Sequence, residues 1–367
     1  MKHHTVNKMT TLQYIFLTSG IQIGVAFLAL PRILAEKAGT DGWMTIIVAW
    51  ALSLAASWAL IQVMKRTANN GTLLELLTQY AGIGGRWIIG AAIALYFFYF
   101  GYAGIVRAVL ITKIWVLPQT PSYIIMLLFL IPTYIIASNG PMILGRYAEL
   151  VILMGLWVPF VYLIPFKDAR WLHLLPVMKS GWSPILSALP DSIYAYVGFG
   201  ATLILYPYLE NKDKATLALV ISNSLTLVCY LFITIACFVY FSPKEIQEYT
   251  EPVITLLKAV EFKFVERVEI LFISFFLLIF SLSWIPTFYM GVFCTSRLMG
   301  SQDSRNHLKI VLILLGVGTY FFMPTSRLSV RMDAVLGRLG FMVEYLFPVC
   351  LLIYIWIYDR FQRRTNA

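Results

Sequence analysis

The sequence predicts an all-α polytopic membrane protein, with ten transmembrane helices in a 5+5 inverted repeat whose first and sixth helices are broken. Three observations carry this expectation. The 367 residues are 60% hydrophobic and only 13% charged, with a mean hydropathy of +0.78, whereas soluble domains average about 25% charged residues. Runs of about 20 apolar residues, the length that crosses a bilayer, recur at 10–34, 42–63, 85–114, 122–138, 142–165, 186–207, 214–240, 265–298, 308–324 and 336–358. Two of these runs are interrupted by glycine pairs at corresponding places in the two halves.

The first interruption is Thr18-Ser19-Gly20-Ile21-Gln22-Ile23-Gly24-Val25, and the second is Tyr196-Val197-Gly198-Phe199-Gly200-Ala201. Lipid offers no partner to a bare N–H or C=O, so a spanning helix does not normally weaken itself at mid-depth. Either the glycines let a neighbouring helix approach closely, or the helix unwinds and presents its backbone to a ligand. A lone small-xxx-small pattern favours packing. Two interrupted stretches in matching positions favour a binding site.

The repeat is testable by offset. Gln22 and Phe199 lie 177 positions apart, and the same offset carries the start of the second span into the seventh and Trp87 to the start of the eighth. It drifts by ten or more positions for the last two pairs. Five spans followed by five more insert the second half upside down, which makes the repeat inverted. The expected organisation is a single membrane domain over 1–367, with repeats at 10–165 and 186–358.

Between the spans, Thr72–Leu77 reads as an amphipathic surface helix and 242–264 as a partly helical cap. The stretch 167–184, rich in Trp, Pro and Lys, connects the halves. Met1-Lys2-His3-His4 leads into the first span without a small-residue cleavage site, so no cleaved signal peptide is expected. Half of the 28 basic residues fall on each side, and Arg360, Arg363 and Arg364 then place the termini in the cytoplasm. The net charge of +10 flanks spans, so its partners are membrane lipids and not nucleic acid. Cys229, Cys237, Cys294 and Cys350 all lie in apolar runs and read as small core residues.

Charges inside spans need partners. Arg107 and Glu344 both fall in the outer half of the membrane and are expected to pair as a gate, with snorkelling of Arg107 the alternative. Glu149, beside Arg146 near the cytoplasmic side, reads as the partner of a loop cation or as a proton carrier. Pro190 and Asp191 read as the opening turn of the sixth span.

An unwound helix directs free N–H groups and a positive dipole end, worth about half a charge, into the gap. A carboxylate fits against the half-helix after Gly24. The carbonyls ending the half-helix before the break suit an ammonium or a cation. An amino acid carries both groups on one carbon, so the expected ligand site uses Gly20, Gln22, Gly24, Val25, Gly198, Phe199 and Gly200.

The ten-span layout with breaks in the first and sixth resembles the LeuT-like fold of sodium-coupled neurotransmitter symporters and amino acid–polyamine–organocation transporters. More closely, the chain resembles the B subunit of the GerA-type spore germinant receptors. The residues carrying that likeness are Gly20-x3-Gly24 running to Leu30-Pro31, and Ser283-Trp284-Ile285-Pro286-Thr287 in the eighth span. The resemblance implies a spore inner-membrane protein of a Bacillus-like spore former, acting with an A subunit and a lipoprotein C subunit. Its implied ligand is a small nutrient, most often an amino acid.

The fold resemblance also implies that the third and eighth spans complete the pocket, through Tyr99 and Tyr102 and through Ser283 and Thr287. Packing tyrosines in the aromatic run from Tyr96 to Phe100, and hydroxyls bonded within their own helix, are the alternatives. His3, His4, His173 and His307 fall outside spans or at their ends, without metal-ligand spacing, and no cofactor or metal is expected. The sequence lacks a P-loop, a Rossmann fingerprint and a nucleophile elbow. An enzyme is therefore not expected. The readings left are a ligand-sensing subunit and a proton- or cation-coupled amino acid transporter.

Overall fold

Every apolar run picked out by hydropathy is helical in the computed structural model, which describes residues 8–24, 26–67, 71–179, 181–260, 268–301 and 304–365. The first run is split into α1 (Thr11–Gln22) and α2 (Leu30–Ala38). Thr10 caps α1 in a capping box with Gln13, and Pro31 near the start of α2 sits where a missing N–H costs nothing. The second run is α3 (Gly42–Met64) and the third is α4 (Leu73–Trp115).

The expected surface helix at Thr72–Leu77 is instead the first turns of α4. Thr72 and Glu75 form its capping box, and Gly82, at φ 70°, bends it into the spanning part. Leu73, Leu74, Leu76 and Leu77 are buried, so this apolar face covers protein and not lipid.

Next come α5 (Ser122–Ala137), α6 (Pro141–Gly155) and the short α7 (Val158–Val161). The sixth run splits into α8 (Trp182–Ala195) and a second helical segment, Phe199–Tyr208, bent by 42° from it and containing α9 (Thr202–Leu205). Because α8 begins at Trp182, Asp191 lies in its third turn and not its first. There it pairs with Lys37 of α2 at 2.6 Å. The seventh run is α10 (Ala215–Tyr240). The cap contains α11 (Glu245–Glu248) and α12 (Pro252–Leu257), with its remainder (261–264) outside the described residues.

The eighth run is α13 (Val268–Leu298) and the ninth is α14 (Arg305–Phe321). The tenth starts well before the expected 336. It runs as α15 (Ser326–Gly340), a π-helical turn at Phe341–Leu346, and α16 (Phe347–Thr365). Arg327, Arg331 and Asp333 depress the hydropathy of its first turns, so these do not read as part of an apolar run.

Among the described residues, six helical stretches are long and apolar enough to cross a membrane, and α8 with Phe199–Tyr208 makes a seventh as a broken pair. The chain is a multi-pass membrane protein. Close helix approach rests on small residues: in α4, Gly90, Gly101 and Gly104 face Leu298, Phe288 and Ser283–Trp284 of α13. Gly20 faces Leu282 of the same helix. Cys237 and Cys294 are buried as expected, whereas Cys229 is half-buried and Cys350 faces outward.

Candidate functional site at the helix breaks

In α1 the last helical bond runs from Ile23 N to Ser19 O at 2.8 Å, and Gly24 N then turns back to Gln22 O at 2.8 Å. Helical bonding resumes with Leu30 N to Ala26 O at 2.9 Å. In the sixth run the chain leaves α8 after Ala195, and Gly198 adopts φ +139°, a conformation that L side chains rarely adopt. Both expected breaks are present.

Unwinding frees backbone groups, and buried ones must find partners. The Gln22 side chain supplies one: its Nε2 donates to Tyr196 O at 2.8 Å and to Asn223 Oδ1 at 2.8 Å. Its Oε1 accepts from Thr226 Oγ1 at 2.7 Å. The Gln22 carbonyl accepts from Tyr230 Oη at 3.0 Å, and Asn223 Nδ2 donates onward to Ser57 Oγ at 2.9 Å. All of these side chains are buried. Gln22 therefore fastens the two breaks to α10 and to each other.

The breaks face each other as expected, and here they touch. A Cβ built on Gly198 would lie 2.8 Å from Ile21 Cγ2 and 3.1 Å from Gln22 N. Gly24 packs on Ser283, whose Cβ would be 2.9 Å from a Cβ at position 24. Packing and unwinding, alternatives in the sequence, are both realised: Gly20 and Gly24 pack on α13 while the backbone beyond Gln22 unwinds. Val25 lies outside the described residues.

Glu344 sits beside the second break. Its Oε2 accepts from Gly198 N at 2.8 Å and its Oε1 accepts from Tyr96 Oη at 2.6 Å. The amides of Phe199 and Gly200 also turn toward it. A Cβ on Gly200 would meet Glu344 Cγ at 2.6 Å, so only glycine lets the carboxylate come this close. Gly337 and Gly340 on α15 face Tyr194 and Val197 and allow the same approach. Glu344 lies in the π-helical turn, an irregularity that often marks functional positions. Phe199 is buried edge-on against Tyr345, with ring centroids 5.1 Å apart.

The expected Arg107–Glu344 gate is not formed. Arg107 Nη2 instead donates to Glu251 Oε1 at 3.4 Å, and its Nη1 lies 3.9 Å from Asp333 Oδ2. Trp115 Nε1 donates to the other Glu251 oxygen at 3.1 Å. The reason is depth. Glu344 is drawn to the break by amides and Tyr96, while the lengthened tenth helix brings Asp333 to Arg107, and the cap brings Glu251. A buried cation thus joins α4, the cap and α15.

The remaining expected pocket residues take their local alternatives. Ser283 donates to Phe280 O at 2.8 Å, and Thr287 donates to Ser283 O at 2.8 Å and to Trp284 O at 2.9 Å, all within α13. Tyr99 donates to Met332 O of α15 at 3.1 Å, and Tyr102 is half-buried a turn away. The tyrosine of α4 that reaches the carboxylate beside the second break is Tyr96, and the one bonded to the first break is Tyr230 of α10. Glu149 accepts from Gln13 Nε2 at 3.0 Å and forms no ion pair among the described residues, so the loop-cation pairing is not realised. Sequence reading missed Asn223 and Thr226, although polar residues in the middle of an apolar span were the available signal.

A family profile described as "Spore germination protein" matches residues 8–329. The chain belongs to the spore germination protein family. Its relatives within that family include spore germination protein GerQB of Bacillus cereus, 21% identical over 350 residues and covering 92% of this chain and 93% of that protein. Spore germination protein A2 of Bacillus subtilis (strain 168) is 27% identical over 332 residues, covering 86% of each. Spore germination protein B2 of the same strain is 23% identical over 272 residues, covering 72% of each. These relatives bear out the germinant-receptor B-subunit resemblance. The solved structure of MhsT in complex with L-phenylalanine superposes with a TM-score of 0.63 at 12% identity, covering 94% of this spore germination family member and 98% of MhsT. That likeness bears out the LeuT-like fold.

Proposed function

We propose that this family member is the nutrient-sensing B subunit of a spore germination receptor. It resides in the spore inner membrane and binds a small nutrient, an amino acid, between the two breaks. It passes the signal to an A subunit and a lipoprotein C subunit. The observation that carries the reading is the meeting of Gly198 with Ile21 and Gln22, in a chain of this family. MhsT, of similar fold, is solved with an amino acid bound. The touching breaks are a closed arrangement, and a ligand that binds better when they part shifts the population toward the parted one. Catalysis has no place in this reading.

The same proposal includes ten spans in an inverted 5+5 repeat. Its support is that helices expected to be symmetry mates pack as pairs: α3 with α10, α4 with α13 and α5 with α14. Met9, just before the first run, and Leu209, just after the sixth, are bridged, as oppositely directed runs allow, with Met9 N donating to Tyr208 O at 2.8 Å.

The test is deletion of the gene followed by germination of the spores on a panel of nutrients. Loss of the response to one or a few amino acids is expected, and an unchanged response to every nutrient refutes the sensor. A coupled amino acid transporter is the second reading, favoured by the fold of MhsT. Uptake of a labelled amino acid into vesicles carrying this chain alone would decide for it.

A further inference from the structure

Beside the second break lies a buried carboxyl, that of Glu344, with no cationic side chain against it among the described residues. Glu344 is fully buried, and among the described residues no Lys, Arg or His lies within 4.0 Å of its oxygens. Its hydrogen-bond partners, Gly198 N and Tyr96 Oη, are neutral donors, which orient a carboxylate and bring no positive charge to it. The basic residue that sequence reading assigned to it, Arg107, is engaged with Glu251 and Asp333. The polar cluster on the other side of the break is also neutral: Gln22, Asn223, Thr226, Tyr230 and Ser57.

Two consequences follow for any ligand entering as the breaks part. A ligand carboxylate brought to Gly198 would meet the amide already bonded to Glu344, and would be repelled by a like charge in a medium where screening is weak. A ligand ammonium brought to the same place would complete a buried ion pair whose anion is already oriented. We infer that Glu344 is the specificity residue for the cationic group of the ligand, with Tyr96 and the Gly198 amide holding its carboxylate in position. The class of ligand is then an amine-bearing nutrient, its ammonium at Glu344 and any carboxylate directed away, toward the first break. Carboxylic acids without an amine, and sugars, are discriminated against. This rests on the proposed nutrient-binding function and adds to it the group that is read.

The experiment uses spores that carry the intact receptor, assayed with the twenty standard amino acids, each active one being paired with its des-amino acid (propionate for alanine, isovalerate for valine). Wild-type spores are expected to respond to the amino acid and not to its des-amino counterpart. Glu344→Gln, which keeps the shape and can still accept from Gly198, is expected to raise the half-maximal nutrient concentration by at least about tenfold at normal abundance in the membrane, since truncating one partner of a buried charge pair is costly. An equal wild-type response to both members of a pair overturns the inference, as does an unchanged half-maximal concentration in an abundant Glu344→Gln. Should Glu344→Gln not accumulate, the wild-type pairs decide alone. Silence of wild-type spores toward every amino acid refutes the amino acid reading itself, which separates the two failures.

Discussion

Gln22 donates from its side-chain amide to the Tyr196 carbonyl at 2.8 Å, so a residue ending the first half-helix holds the residue that ends α8. Both hydrogens of that amide are used, the second on Asn223, and its oxygen accepts from Thr226. Replacement by Leu removes the buried donor from Tyr196 O and from Asn223 Oδ1, each such loss costing about 1–3 kcal/mol, while Thr226 keeps its bond to Ser222 O. Gln22→Leu is expected to lower the Tm of the purified protein in detergent by many degrees. An unchanged Tm would mean that the fastening contributes nothing to the fold.

Gly198 and Gly318 provide a matched pair. At Gly198 the backbone is at φ +139° and a Cβ would lie 3.1 Å from the Gln22 backbone nitrogen. Gly198→Ala should cost about 1–3 kcal/mol from strain alone. Gly318 lies inside α14 with nothing within 4 Å of its Cβ position, so Gly318→Ala should gain about 0.5–1 kcal/mol. Thermal unfolding of the two variants measures both signs.

Bulk at the other break glycines should act on the response. A side chain at Gly200 strikes Glu344, and one at Gly24 strikes Ser283. Gly200→Leu and Gly24→Leu are each expected to abolish nutrient-triggered germination. A response from both at unchanged nutrient concentration would place the ligand elsewhere.

Arg107 should couple to Glu251 and not to Glu344. In double-mutant cycles on Tm, Arg107→Gln with Glu251→Gln should deviate from additivity by about 0.5–3 kcal/mol, as for residues in one ion-pair network. Arg107→Gln with Glu344→Gln should be additive, because the two side chains share no partner. The reverse pattern would restore a direct Arg107–Glu344 gate.

Composition, span length and the spacing of two glycine breaks were enough to determine the class of protein, the place of nearly every helix and the two points where helices unwind. These are local properties: twenty apolar residues must be helical in lipid, and glycine at mid-depth weakens a helix wherever it lies. Even so, the expected tenth helix starts ten residues late, because Arg327 and Arg331, both exposed, and Asp333, whose partner Arg107 lies on another helix, look like loop.

Partner choice belonged to the tertiary structure. Apparent depth in the sequence paired Arg107 with Glu344, whereas packing gave it Glu251 and Asp333 and the second break took Glu344. Tyr96 and Tyr99 are three residues apart on one helix, yet Tyr96 meets the buried carboxylate and Tyr99 a backbone carbonyl of α15. Span reading locates a residue to within about a turn of helix, roughly 5 Å. A hydrogen bond is decided within a few tenths of an ångström, and that precision arises only when the helices, brought close by Gly200, Gly337 and Gly340, set the distances between them.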